Sequence, residues 1–246
     1  MKLLVAISQT PETTARISFK DGSSQYDASG VNFIMNPYDE WYALVRALEI
    51  KEEKGGTVTV IHAGPAANDV TIRKALAIGA DDAIRIDMEP ENAHAVAVQI
   101  AAFARDQQYD LILTGKETID YNGSSVGAMI AELLDLPFIS NASKLVHRGH
   151  DVLVTRDIEG GTEDIEVSGA FVLSAAKGLA EQRIPNMRGI MSAKTKPLQV
   201  IQAIPSEHTV EYVKFELPAA KSTVKMVAPD DMDELVRLLH EEAKVI

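Results

Sequence analysis

The chain has 246 residues, with 24 Lys and Arg against 36 Asp and Glu for a net charge of −12, 46% hydrophobic residues and no cysteine. That length fits one large domain or a domain with an appendage, and the apolar content supplies a core that a disordered chain lacks. The missing cysteines exclude disulfides, thiolate nucleophiles, iron–sulfur clusters and cysteine-based zinc sites, and the acidic balance argues against nucleic acid as a partner.

Leu3–Ile7 follows one lysine and turns polar at Ser8, which predicts a buried first strand and not a signal peptide. No stretch approaches the ~20 apolar residues needed to cross a bilayer, so no direct membrane insertion is expected. The expected compartment is the cytoplasm, or an organelle matrix in a eukaryote. A helix is expected from about Tyr38 to Lys54, with Trp41, Leu44, Val45 and Leu48 at i, i+3, i+4 and i+7. Asn36 reads as its N-cap, Pro37 as its first position, and Gly55-Gly56 as its end.

Thr57–His62 is the second expected strand, Asn68 the cap of a helix to Ile78, and Gly79 its C′ stop. Ala83–Ile86, a helix of about Asn92–Arg105, Leu111–Thr114 and a helix of roughly Ser124–Leu134 follow, then a later strand at Phe171–Leu173. Strands alternating with helices in this way predict a doubly wound, Rossmann-like parallel α/β sheet, with order 3-2-1-4-5. Val152–Ile158 and Thr162–Val167 flank Glu159-Gly160-Gly161 as an added antiparallel hairpin. Arg183–Pro197 reads as irregular and Thr209–Leu217 as strand-like. A final helix from about Asp230 puts Met232, Leu235, Val236, Leu239 and Ala243 on one face that needs a partner. The expected domains are 1–182 for nucleotide binding, 183–197 as a docking loop, and 198–246 as a C-terminal arm.

In such sheets ligands bind beyond the carboxyl ends of the strands. The loop after the first strand lacks G-x-G-x-x-G, and there is no Walker-type lysine loop. The loop after the fourth strand, from Gly115 to Gly127, is long, polar and rich in small residues. Backbone N–H groups of Gly123, Ser124 and Ser125 at the following helix would suit a phosphate. A plain capping role for Asn122 or Ser124 explains the same residues equally well. His147-x-x-His150 has a metal-like spacing but lies in a turn-rich stretch and reads as a surface turn. The acidic run Asp230-Asp231-Met232-Asp233-Glu234 fits a helix N-terminus. Lys116 and Glu117 could pair, with no nucleophile nearby.

Met35-Asn36-Pro37-Tyr38-Asp39-Glu40, the run Thr71 to Asp81, Gly115-Lys116-Glu117-Thr118-Ile119-Asp120, Asp157-Ile158-Glu159-Gly160-Gly161 and the segment Arg183 to Pro197 together resemble the β subunit of electron-transfer flavoproteins, in order and spacing. The resemblance covers essentially the whole chain. It implies a heterodimer whose α subunit holds most of a redox-active FAD, with a structural AMP in the β subunit. The implied nucleotide pocket is Ala6, Asn36, Pro37, Tyr38, Asp39, Ala63, Gly115, Lys116, Glu117, Thr118, Ile119, Asp120, Tyr121, Asn122, Gly123, Ser124, Ser125 and Val126. Thr13 and Tyr38 are implied to face the flavin ring.

Many relatives carry a Gln, then Thr or Val and Gly, where this chain reads Ser124-Ser125-Val126-Gly127. Backbone contacts to phosphate survive that change. The loop also departs from the pattern of flavin-bifurcating relatives, which bind a second FAD, and so favours AMP. The resemblance further implies a loop that docks FAD-dependent dehydrogenases such as acyl-CoA dehydrogenases, with Arg183, Met187, Arg188, Lys194 and Lys196 as candidates. Met187 stands where better-known members place a leucine anchor. Gln182–Gln199 carries +4 and the rest of the chain −16, which separates a basic loop from an acidic body. The implied role is an electron carrier that passes electrons to a membrane or soluble acceptor and makes no substrate bond. A bifurcating carrier and a stand-alone adenine-nucleotide hydrolase or adenylating enzyme are the alternatives.

Overall fold

In the first strand, β1 (Lys2–Ala6), Leu3 and Val5 join one hydrophobic cluster while Leu4 and Ala6 join another on the opposite face. Side chains alternate along a strand, so a strand apolar at every position must be covered on both faces. The computed structural model describes residues 1–149, 151–207, 209–220 and 223–246. It divides into one unit of Met1–Arg16 with Ala28–Val213 and another of Ile17–Asp27 with Lys214–Ile246.

Along the chain β1 is followed by short strands β2 (Gln9–Pro11), β3 (Phe19–Lys20), β4 (Gln25–Tyr26) and β5 (Phe33–Met35), then α1 (Asp39–Lys54) and β6 (Thr57–Ala63). Next come α2 (Asp69–Ile78), β7 (Asp82–Asp87), α3 (Ala93–Ala104), β8 (Leu111–Gly115) and α4 (Val126–Leu134). The chain continues through β9 (Phe138–Arg148), β10 (Asp151–Ile158), β11 (Gly161–Val167), β12 (Phe171–Ala175), α5 (Met187–Ala193), β13 (Leu198–Gln202) and α6 (Met232–Arg237).

In the larger unit nine of the described strands form a sheet in the order β11-β10-β9-β12-β8-β1-β6-β7-β13, and β2 pairs with β5 apart from it. Its parallel centre, β12-β8-β1-β6-β7, is the expected 3-2-1-4-5 arrangement. Residues of α1 and α2 cover one face, and residues of α3 and α4 the other. The expected hairpin is β10–β11, with Ile158 opposite Gly161 and Gly160 at φ +81° in the turn. Two strands of this sheet escaped the sequence reading. β9 pairs parallel with β12, and β13 pairs parallel with β7. Both are polar at intervals and half covered, so neither shows the unbroken apolar run of a central strand.

Several local expectations need correction. Asn36 is not the cap of α1, which starts at Asp39 after Tyr38; its side chain is buried against another loop. Asn68 makes no side-chain cap for α2, because its amide turns to His62. α4 runs Val126–Leu134, starting two residues after the expected Ser124, and Ser125 precedes it without a side-chain cap. Arg183–Pro197 contains the helix α5, capped by Asn186, whose Oδ1 accepts from Gly189 N–H at 2.8 Å. Residues 209–217 take no strand conformation; apolar alternation alone supplies no ladder partner.

In the smaller unit, β3 and β4 form a two-stranded ladder, and the Phe19 and Phe215 rings stack 5.2 Å apart. α6 continues as a π-helical turn over Leu238–Ala243. Met232, Leu235 and Val236 of that helix stay exposed.

Candidate functional site

Three chain segments converge at the carboxyl end of the parallel strands. Asn36, fully buried after β5, donates from Nδ2 to Glu117 O at 3.0 Å and accepts from Ile119 N–H at 3.0 Å. Its own N–H donates to Ser8 O at 3.0 Å. One side chain thus ties the loop after β8 to the end of β5, and the adjacent backbone ties β5 to the end of β1. Asparagine suits this position because one amide supplies both a donor and an acceptor.

Glu40, in the first turn of α1, is the group that sequence reasoning missed. An acid there is explained by the helix dipole, yet its side chain turns inward and is only 6% exposed. Ser8 donates to it from N–H and Oγ, both at 2.6 Å. Burial, opposed in part by the Ser8 bonds, pushes the Glu40 carboxyl up to about 8. Gly115 is required beside it, because a Cβ at that position would stand 2.7 Å from Glu40 Cγ and 2.9 Å from its backbone nitrogen. The strand end, the serine and the buried acid therefore pack as one unit.

The loop before α4 holds two residues in the left-handed region. Asn122 and Ser124 have φ of +49° each, and Ser125 has φ −116° with Gly123 between them outside the left-handed region. A left-handed residue followed by a right-handed one, as at Ser124 and Ser125, turns successive N–H groups to one side, while the Asn122 N–H is taken by Thr118 O at 2.9 Å. The first-turn N–H groups of α4 have no intrahelical partner and carry the positive end of the helix dipole. A Cβ at Gly123 would meet only Ser125 Oγ at 3.7 Å, so the backbone is open to close approach. Ser124 Oγ is not a cap; it donates to Glu117 Oε2 at 3.0 Å. Ala6 and Ala63, the last residues of β1 and β6, are buried in the hydrophobic cluster on the face covered by α3 and α4.

A cleft beside this loop is lined by Tyr38, Asp39, Tyr42, Lys116, Glu117 and Lys177, among others. Lys116 Nζ pairs with Glu117 at 3.0 Å; this pair raises the lysine and lowers the glutamate. Burial raises Asp39, against the attraction of Lys116 and a bond from the Glu117 backbone. Tyr38 adopts φ +65° and ψ −101°, a conformation rare for a bulky residue, and its ring is 52% exposed. Strain of that kind persists where surrounding structure imposes it. Here Asn36 anchors one side of Tyr38 and α1 the other. Thr13 sits in an exposed turn in which Ala15 N–H donates to Glu12 O. Tyr121 packs its ring 5.2 Å from that of Tyr212.

The five basic and apolar docking candidates divide into two groups. Met187 is 74% exposed at the start of α5, and Arg188 and Lys194 are exposed on the same short helix or just past it. Arg183 instead makes a two-pronged bond to Glu52 at 2.6 and 2.9 Å, and its carbonyl accepts from Trp41 Nε1. Lys196 Nζ is bonded to backbone carbonyls of the α2 end. These last two cations are engaged within the chain.

Next to Ala63, His62 is buried, with Nδ1 at 2.9 Å from Ile7 O and Nε2 at 2.9 Å from Asn68 Nδ2. A carbonyl partner requires Nδ1–H, so Nε2 is the acceptor. Burial, assisted by the Arg85 charge, lowers its pKa. Arg85 is itself buried and pairs with Asp69 at 2.8 Å and with Asp87, while donating to Gly64 O. His147 lies on β9 and His150 lies outside the described residues, so the spacing noted in the sequence has no described geometry.

Residues 24–206 match the family model described as electron transfer flavoprotein domain. Curated relatives agree. The chain is 36% identical to the electron transfer flavoprotein subunit beta of Bacillus subtilis, covering 100% of both chains. It is 33% identical to the protein of the same name from Bradyrhizobium diazoefficiens, again with 100% of both covered. It is 32% identical to that of Sus scrofa, over 100% of this chain and 99% of the relative.

Proposed function

This chain belongs to the electron transfer flavoprotein family as a β subunit, and from that premise we propose that it pairs with an α subunit, buries an AMP at the strand ends and borders an FAD held mostly by its partner. The observation that carries the nucleotide reading is the left-handed Ser124 followed by the right-handed Ser125 at the start of α4. The donor set consists of N–H groups, which a phosphate can use whatever the side chains are. Ala6 and Ala63 end their strands with side chains small enough for a flat base to approach, and Asn36 holds the loop in place.

The flavin, when bound, supplies the electron-transfer chemistry. The chain's part is to orient and to exclude water: Tyr38 presents an aromatic ring at the cleft, Tyr42 narrows it, and Lys116 and Lys177 place positive charge at its rim. The exposed apolar side of α6 supports a role for the C-terminal arm against the α subunit. Met187, Arg188 and Lys194 support docking of FAD-dependent dehydrogenases, with electrons then passing to a respiratory acceptor. No described helix is long and apolar enough to cross a membrane; the cytoplasm or an organelle matrix is the compartment that suits this work.

Releasing and identifying the nucleotides of the purified heterodimer tests the reading. One FAD and one AMP per heterodimer are expected. Two FAD would place the protein with bifurcating carriers, and adenine-nucleotide turnover by the chain without flavin would replace the reading with that of an enzyme.

A further inference from the structure

Helices α2 and α5 end on each other's cations. Arg73 of α2 donates from Nη1 to Ala193 O at 2.7 Å and to Lys196 O at 2.6 Å, at the carboxyl end of α5. In return Lys196 donates from Nζ to Leu76 O at 2.9 Å and Ala80 O at 2.6 Å, at the carboxyl end of α2. Terminal carbonyls lack intrahelical partners and carry the negative end of the dipole, so each cation satisfies the other helix where it needs a donor. The two helices also touch at backbone distance: a Cβ at Gly189 would stand 2.3 Å from Ala77 O. α5 has only seven residues, too few to hold a helix in water without tertiary support.

The face of α5 turned away from α2 bears exposed Met187, Met191 and Arg188. We propose that Arg73 and Lys196 are positioning residues, which clamp α5 in its helical form and so present that face to a flavin dehydrogenase already ordered. A segment ordered before contact loses less entropy on binding. The inference rests on the docking role given above for Met187 and its neighbours. It assigns Lys196 and Gly189 to the clamp, and it adds Arg73 from a part of the chain that the basic segment does not include.

The test uses the intact heterodimer as electron acceptor for an acyl-CoA dehydrogenase reduced by its acyl-CoA. Lys196→Met and Arg73→Met are expected to raise the KM for the carrier about tenfold through lost pre-organisation, with kcat and flavin content unchanged. Lys196→Arg, which keeps donors for both carbonyls, is expected to recover most of the loss. Gly189→Ala alters no charge and favours helix formation, yet its methyl forces α5 away from Ala77; it too should raise KM. That variant also serves where Lys196→Met yields no folded complex. Met187→Asp is the control for docking itself. If Met187→Asp raises KM and the clamp variants leave it within twofold, the clamp is refuted and docking stands. If Met187→Asp has no effect, or the wild-type carrier takes no electrons from this dehydrogenase, the docking role fails and the clamp with it.

Discussion

Replacing Glu40 by Gln should make the protein more stable at pH 8 and leave it almost unchanged at pH 5. The carboxyl is buried, and Ser8 donates to it twice at 2.6 Å. Burial, the dominant cause, pushes it from 4.5 up to about 8. In the unfolded chain the group releases its proton near 4.5. Between those values the native state holds a proton that the unfolded state has lost, so stability falls as pH rises. Each pH unit in that window removes up to ~1.4 kcal/mol, which makes about 5 kcal/mol the ceiling by pH 8. Glutamine preserves the shape and both bonds, since its carbonyl accepts from Ser8 N–H and its amide donates to Ser8 Oγ, but it does not titrate. Urea denaturation of the purified chain, followed by far-ultraviolet circular dichroism from pH 5 to 8.5, reads the difference. The variant should match wild type within ~1 kcal/mol at pH 5 and exceed it by roughly 3–5 kcal/mol at pH 8. Parallel pH profiles for the two proteins would refute the argument that this acid is buried without adequate compensation.

Gly123→Glu places a carboxylate at the anion site proposed before α4, so the purified heterodimer should lose AMP and keep FAD; full AMP occupancy by nucleotide analysis would count against that site. Reversing Arg188 and Lys194 to Glu should lower the association rate with an acyl-CoA dehydrogenase about tenfold at low salt, converging with wild type at high salt as charges are screened. Stopped-flow rates that are equal at low salt would make those cations bystanders. His62 has a depressed pKa from burial, so the unfolded chain takes up a proton that the native state resists, and stability is lost as pH falls below 6.5. His62→Gln removes that contribution, and the stability gap between the two proteins should narrow from pH 7 to pH 5; a constant gap in urea titrations would contradict it.

Much of the fold is written in local periodicity. The apolar runs at Leu3–Ala6 of β1 and Leu111–Leu113 of β8 identified central parallel strands, because only strands covered on both faces need them. The stop signals at Gly55 and Gly79 stand where α1 and α2 end. α3 stands within the expected Asn92–Arg105, and Asn92 caps it, its Oδ1 accepting from Ala95 N–H. The motifs around Asn36, Arg73 and Gly115 also carried the family, since a functional site repeats residue types in a fixed order.

What the sequence could not assign was the partner of each polar group. Asn36 and Asn68 have the chemistry of helix caps, and an isolated helix start would use them so. In the folded chain Asn36 meets a loop 81 residues away and Asn68 meets a buried histidine. Glu40 and Lys196 looked like a dipole acid and a docking cation, yet one is enclosed by strand ends and the other caps α2, about 120 residues back along the chain. Sequence by itself determined which segments are strands and helices of the central sheet, because burial on a strand or helix face follows from spacing along the chain. Only the tertiary structure decided which charges remain free for a partner, because a donor takes the acceptor nearest in space, and the packing of distant segments sets that distance.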